Sequence, residues 1–270
     1  MVPPVESVSP PPLRIVSFNV KRLSHRWSGG RVRAVRIGAF LRPIDADVCA
    51  LQEIEHEPDD AQSALALVAR EAGFTERAFT RHAPGQPRGV GLLYRGRAVE
   101  SSGGLLPARA RDDKGYTRVV LQVAPSSQAI EIVALHLDWI SRRARERQAA
   151  ALAEALGPPR GPRLVVGDLN AMTARTILSG EDHDSTVRVL AERLGVAPPR
   201  AGVRTFPNFA PMFSLDWVLA SASLQVRSVR ALPSRFSDHA VLIAEVTHVD
   251  TRRAPSLAAA PTVTPTSTTP

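Results

Sequence analysis

Short runs rich in valine, isoleucine and leucine alternate along the chain with stretches whose apolar residues recur every three or four positions. The first kind predicts strands at "LRIVSFNV", "VCALQE", "GVGLLYR", "RVVLQVA", "IEIVALHL", "RLVVGDL", "LDWVLA", "QVRSVRAL" and "AVLIAEV". The second predicts helices. Ala61, Leu65 and Val68 share one helical face ahead of Gly73, a common residue just past a helix end. Ile140, Ala144, Gln148, Ala151, Leu152 and Ala155 form a stripe that stops at "GPP". Some strands follow one another across a bare turn, as at Pro125 to Gln128, so the sheets are mixed rather than purely parallel. Two such sheets packed face to face and covered by helices satisfy this α/β pattern.

Several predicted strands end, or begin, in a polar residue that can hold a metal, a water or a phosphate. Asn19 closes the first run, Glu53 the second and His136 the fifth. The run "LVVGDLNAM" delivers Asp168 and Asn170 together. Asp216 opens "DWVLA", and Asp238 and His239 open the last strand. Singly each has a plain explanation: an Asx turn, a loop cap or a satisfied rim histidine. Repetition of the same placement across six segments argues for convergence on the rim where two sheets meet.

Those residue types make chemical sense together. Glu53, Asp238 and Asn19 are hard oxygen donors suited to Mg²⁺ or Mn²⁺, and no cysteine–histidine arrangement suggests zinc. His136 and His239 can exchange hydrogen bonds with phosphate oxygens near neutral pH. Asp216 can orient His239, and Asp168 with Asn170 can position an attacking water. The assembly describes metal-assisted hydrolysis of a phosphate ester.

Composition narrows the class. A chain of 270 residues with 44% hydrophobic and 22% charged residues is long enough for one sizeable core. No apolar run approaches the roughly 18 residues a membrane span needs. Residues 1–12 read as a Pro-rich arm without signal-peptide character, residues 13–247 as the folded domain, and residues 248–270 as a disordered tail. Cys49 lies in an apolar run and reads as an inert buried thiol, and the cytoplasm is the expected compartment. The net charge of +8 suits an acidic partner such as nucleic acid, although lysine occurs only at positions 21 and 114 and the arginine bias needs no binding role. Arg31, Arg33 and Arg36, following Trp27, are candidate backbone-tracking cations, with a flexible loop and a solvated helix face as the plain alternative. "EDHD" (Glu181 to Asp184) and "ARDDKG" (Ala110 to Gly115) read as charged loops and not as sites.

From Leu13 to about Thr247 the chain resembles the endonuclease/exonuclease/phosphatase superfamily, the group of deoxyribonuclease I, exonuclease III, neutral sphingomyelinases and inositol polyphosphate 5-phosphatases. The landmarks "SFNV", "LQE", "ALHLD", "GDLNA", "TFPNFAPMFSLDWVLAS" and "SDHAVL" stand in family order. The resemblance implies the four-layer sandwich. It also implies metal held by Asn19, Glu53 and Asp238, phosphate contact by His136, and alignment of water and scissile phosphate by Asp168 and Asn170. His239 would pair with Asp216. Arg145 and Gln148 match an R-x-x-Q pattern and would pack against the rim. His136, where exonuclease III-like enzymes tend to have tyrosine, implies the branch of deoxyribonuclease I, sphingomyelinases and inositol phosphatases. Ser214 stands before Leu215 where the family often has arginine, which removes one phosphate contact. The expected activity is a monomeric Mg²⁺- or Mn²⁺-dependent phosphodiesterase of nuclease type. The alternatives are a lipid- or sugar-phosphate esterase, or a non-catalytic module on the same fold.

Overall fold

The computed structural model describes residues 11–24, 26, 28–107, 114–123, 127–171, 185–200 and 202–249. Trp27, Glu181 to Asp184 and nearly all of the Pro-rich arm and the tail lie outside the described residues, as do parts of "ARDDKG" and of the turn at Pro125. The described chain runs β1 (Leu13–Leu23), α1 (Ser28–Leu41), a short 3-10 turn (Arg42–Ile44), β2 (Val48–Glu55), α2 (Ala64–Ala72), β3 (Glu76–Arg81) and β4 (Arg88–Tyr94). It continues with β5 (Arg97–Leu106), β6 (Lys114–Gln122), β7 (Ile130–His136), α3 (Arg142–Leu156) and β8 (Arg163–Asp168). The last elements are α4 (Ser185–Leu194), β9 (Val196–Ala197), β10 (Asp216–Ser221), β11 (Leu224–Leu232) and β12 (Val241–His248).

Six strands form each of two sheets, in the orders β11-β12-β1-β2-β4-β3 and β5-β6-β7-β8-β10-β9. Both are mixed. The pair β1–β2 is parallel through the α1 crossover, and β7–β8 is parallel through α3. Between the sheets lies an apolar layer with Ile15, Leu92, Leu121, Ile132, Val166 and Leu242. A second layer joins α1 and α2 to the first sheet, and a third joins α3 and α4 to the second. Helix, sheet, sheet and helix therefore stack in four layers, as the apolar pattern requires of strands buried on both faces.

The strands read from sequence all form, and β3, β5 and β9 are added. β3 and β5 lie on sheet edges, where polar residues face solvent and the apolar signal is weak. Gly103 on β5 has a packing reason, because a Cβ there would strike Thr80 of β3 in the other sheet. Lys114 and Gly115, read as part of a charged turn, begin β6. The segment after Asn19 is helical from Ser28, with Ala34, Ile37 and Leu41 buried, so a flexible loop is not what holds Arg31 to Arg36. α2 begins at Ala64, one residue past buried Ser63, which leaves Ala61 outside it; Gly73 ends it at φ 81°.

α3 likewise begins later than its apolar stripe suggests. The Asp138 carboxylate accepts the N–H groups of Ile140 (2.9 Å) and Ser141 (2.6 Å), and the Ser141 hydroxyl caps Ala144 N–H. Ile140 is consequently two-thirds exposed, and the face that packs is Ala144, Arg145, Gln148, Ala149 and Leu152. α4 was not legible as a helix in the sequence.

Cys49 lies within the layer beneath α1 and α2, and its burial pushes the thiol pKa far above its ordinary value. Native protein is therefore expected to leave a disulfide-exchange reagent unreacted over hours, with the single thiol titrating fully in denaturant. Rapid native-state labelling would show that the β2 layer opens.

Candidate active site

Strand register sets the first half of the site. In the second sheet His136 is paired with Asp168 across the parallel β7–β8 ladder, and Asp168 is paired with Asp216 across the antiparallel β8–β10 ladder. Three ionisable groups thus stand at one level on adjacent strands. Gly167 allows this close approach, because a Cβ at its φ of 148° would overlap the Leu135 carbonyl.

The first sheet contributes its own strand ends. β1 and β2 stay in register to Asn19 and Gln52, then both break register. Lys21, Arg22 and Glu53 take positive φ angles of 46°, 54° and 60°, a left-handed backbone that such residues rarely adopt. Local bonds hold this strained backbone. Lys21 N–H donates to Asn19 Oδ1 (2.9 Å) and Arg22 N–H to Glu53 Oε2 (3.1 Å). The Arg33 guanidinium reaches from α1 to the carbonyls of Val20, Lys21 and Phe236 at 2.5–3.1 Å. Strain concentrated in this way is common where a backbone aims side chains at a reaction centre.

The loop before β12 delivers Asp238 and His239. Asn208 holds it by donating its backbone N–H to the Asp238 carbonyl (2.6 Å) and bonding Ser234 through both ends of its amide. Ala240 N–H donates to the Thr205 carbonyl (2.8 Å). Arg145 and Gln148 act on the opposite side. Gln148 accepts Asp138 N–H (2.8 Å) and Arg145 donates to the Asp138 carbonyl (3.3 Å), so this pair supports the loop after His136 from within the core.

Asp168 is the centre of the arrangement. Its Oδ1 accepts Asn170 N–H (2.9 Å), and its Oδ2 accepts Asn19 Nδ2–H (2.9 Å). His136 Nε2 and His239 Nε2 each lie 3.7 Å from the same Oδ2. His239 Nδ1 meets Asp216 Oδ2 at 2.9 Å, and the other Asp216 oxygen is buried with no hydrogen-bond partner among the described residues.

These surroundings separate the protonation behaviour of the groups. Burial raises the Asp168 carboxyl to about 6; Asp216 adds to this, while His239 and the amide donors oppose it. Burial lowers His239, yet the charges of Asp216, Asp168 and Asp238 outweigh it and lift the imidazole to about 10. Burial, Lys114, His82 and His239 hold His136 well below its ordinary value. Two imidazoles facing one carboxylate are therefore different species at neutral pH, one neutral and one cationic.

Eight of the residues singled out by sequence come together: Asn19, Glu53, His136, Asp168, Asn170, Asp216, Asp238 and His239. Asn170 has a φ of 47° and donates its Nδ2–H to the Leu137 carbonyl (3.0 Å). Asn19 turns its NH₂ toward Asp168 and Glu53 (3.3 Å), tying the two carboxylates together. Asp238 pairs with the Lys21 ammonium (2.9 Å), a contact the sequence did not suggest. The arginines divide: Arg31 and Arg36 are exposed on α1, whereas Arg33 is engaged in the carbonyl clamp. His82, just past the unanticipated strand β3, also enters the site against His136 (3.3 Å), and no sequence signal marked it. Four large apolar side chains remain exposed on the flanking loops, Trp139 and Ile140 after His136, and Phe209 and Met212 before Asp216.

The donor chemistry fits a hard divalent cation. Glu53 is only partly buried and offers both oxygens beside the Asn19 amide, and Asp238 stands at the partly exposed side near His239. Asp168, Asp216 and His239 also bring ligand-competent atoms within 4.8 Å of one another. Cys49, the single cysteine of the chain, is a protonated thiol buried elsewhere.

Residues 16–239 match the sequence profile of the Endonuclease/Exonuclease/phosphatase family. No curated protein matches the sequence. Among solved structures, a Bacteroides thetaiotaomicron mannosyl-6-phosphatase is 15% identical, with a TM-score of 0.68 over 87% of this chain and 99% of that one. The human Nocturnin catalytic domain with bound sulfate is 21% identical, with a TM-score of 0.66 over 88% and 94%. Sphingomyelinase C from Streptomyces griseocarneus is 18% identical, with a TM-score of 0.63 over 87% and 99%. At these identities the likeness is one of fold. No helix among the described residues is long and apolar enough to cross a membrane.

The His239 charge has a consequence for stability. Its folded pKa, about 10, exceeds the ordinary value of 6.5, so its contribution is complete below about pH 6.5 and is lost as pH rises through 10. Asp216→Asn removes the largest opposing charge. In EDTA that variant should lose on the order of 3 kcal/mol at neutral pH, the usual cost of breaking a buried pair, and its alkaline decline should begin at lower pH. Thermal unfolding across pH measures both; unchanged profiles would dissolve the pair.

Proposed function

The chain belongs to the endonuclease/exonuclease/phosphatase family, and from that premise we propose that it is a divalent-metal-dependent phosphodiesterase acting on nucleic acid. The observation that carries the chemistry is the single carboxylate oxygen of Asp168, set 3.7 Å from two imidazoles of opposite protonation character. A carboxyl pKa near 6 suits a general base working around neutrality, and a cationic imidazole suits a general acid.

Water held by Asp168 and the Asn170 side attacks phosphorus in line with the departing oxygen. Asp168 takes the water proton as the new P–O bond forms. The old P–O bond breaks, and the leaving oxygen receives the proton of His239 Nε2, whose charge Asp216 sustains. The products are a phosphomonoester and an alcohol, and transfer of the proton from Asp168 to His239 restores the starting state. His136 faces a non-bridging phosphate oxygen. Glu53 and Asp238, with Asn19 beside them, would hold Mg²⁺ or Mn²⁺. When bound, that ion neutralises charge on the phosphate and the leaving oxygen.

Nucleic acid is favoured by the basic face beside the site. Lys21, Arg22 and Arg26 are exposed next to Asn19, and Arg31 and Arg36 extend the face along α1. Arg33 serves this face indirectly, by holding the carbonyls that shape it. A second reading, hydrolysis of a lipid headgroup ester, is favoured by the exposed Trp139, Ile140, Phe209 and Met212. A panel of plasmid DNA, single-stranded DNA, RNA, sphingomyelin vesicles and sugar phosphates, each with Mg²⁺, Mn²⁺ or EDTA, separates the two. Cleavage confined to nucleic acid supports the first reading. Cleavage confined to vesicles, lost in the Trp139→Ser, Phe209→Ser double variant, supports the second.

Two variants test parts of the scheme. Glu53→Gln should keep its fold and lose roughly 100-fold in turnover, because an amide binds a hard cation poorly and the charge stabilisation goes with it. Undiminished activity of that variant in EDTA would refute metal dependence. Replacing Arg31 and Arg36 with serine should flatten the salt dependence of polymer binding by about 1–2 units of slope. Cleavage of a small phosphodiester should change little.

A further inference from the structure

His82 spans the two sheets. Its backbone N–H, just past β3 in the first sheet, donates to the Arg88 carbonyl (3.0 Å), while its ring reaches β6 and β7 in the second. Gly115 N–H on β6 donates to His82 Nδ1 at 3.1 Å. The other ring nitrogen, Nε2, lies 3.3 Å from His136 Nδ1, with the rings 5.2 Å apart at 61°. Both imidazoles are buried, at 4% and 3% exposure, so water does not compete for these atoms. A glycine at 115 is part of the arrangement, because a Cβ there would sit 2.8 Å from the Arg81 carbonyl oxygen and push β6 away.

The protons on this chain of atoms can be counted. A backbone N–H only donates, so His82 Nδ1 must present its lone pair to Gly115. A neutral His82 then carries its proton on Nε2, and that proton points at His136 Nδ1. His136 Nδ1 must accept, which leaves the His136 proton on Nε2, facing Asp168 and the place of the phosphate. A protonated His136 would set two N–H groups against each other. We propose that His82 is a positioning residue that fixes His136 as the neutral Nε2–H tautomer, so that His136 serves as a hydrogen-bond donor to phosphate and never as base or charged acid.

Electrostatics agree with the geometry. Burial, Lys114 and Arg88 hold His82 near 3, which keeps it uncharged at any working pH. The division of labour rests on the phosphoesterase reading of the site: proton transfer belongs to Asp168 and His239, and His136 supplies only a fixed dipole. A carboxylate in place of His82 would do the reverse. It would accept a proton from His136 Nδ1, and the phosphate would then face a lone pair or an imidazolium.

Nitrogen NMR of the histidine-labelled full chain reads the tautomer without substrate. His136 should show protonated Nε2 and bare Nδ1, with no titration across about pH 5–9. In His82→Gln the amide can accept from Gly115 and donate to His136, so this variant should keep the tautomer and recover most of the turnover. His82→Glu should move the proton to His136 Nδ1 and lower kcat roughly 100-fold, the usual loss for one donor to developing charge, with KM less affected. A protonated Nδ1 in the unsubstituted protein, or full kcat in His82→Glu with the proton shifted, would overturn the proposal. Because the spectrum needs no turnover, failure of the tautomer assignment and failure of the phosphoesterase reading are separate results.

Discussion

Two carboxylates directly opposite each other on adjacent strands are an unfavourable pair, and the site is organised around resolving it. The β8–β10 register sets Asp168 against Asp216 with both almost fully buried. His239 answers the conflict by bonding Asp216 through Nδ1 and facing Asp168 through Nε2. Asn19 and the Asn170 backbone supply the remaining hydrogen bonds to Asp168. Burial, with Asp216 adding to it, still raises the Asp168 carboxyl to about 6, in the range a general base requires.

That resolution depends on both sheets. Asp168, Asp216 and His136 come from the second, whereas Asn19, Glu53 and His239 come from or border the first. The apolar layer between the sheets fixes their spacing, and His82 crosses it to hold His136. The left-handed residues at Lys21, Arg22, Glu53 and Asn170 all occur at this junction, so the backbone bends where its side chains must converge. Arg33, Asn208 and Gln148 are far from the chemistry in function but decide whether the three loops they hold stay in place.

Much of this was legible in the sequence because the central strands are buried on both faces. Such strands read as continuous apolar runs, and a polar residue at the end of one is conspicuous, which is how Asp168, His136 and His239 stand out. Edge strands carry no such contrast. β5 alternates serine, glycine and exposed valine, and β3 is half charged, so neither announced itself, and His82 was hidden with its strand. The role of Arg33 was hidden for another reason. A cation in an arginine-rich helix looks the same in sequence whether it faces solvent or three carbonyls. Ile140 continued the helical stripe of α3 until the Asp138 carboxylate claimed its N–H and turned the chain.

The central claim is that one carboxylate, Asp168, accepts the proton of the attacking water. The direct measurement is turnover of bis(p-nitrophenyl) phosphate by Asp168→Asn against the unsubstituted protein, both with Mn²⁺ and both confirmed folded. Loss of general-base catalysis predicts a fall of about 100- to 10,000-fold. It also predicts loss of the acid limb of the pH profile. Turnover within a few-fold of the unsubstituted protein, with the acid limb intact, would contradict the account.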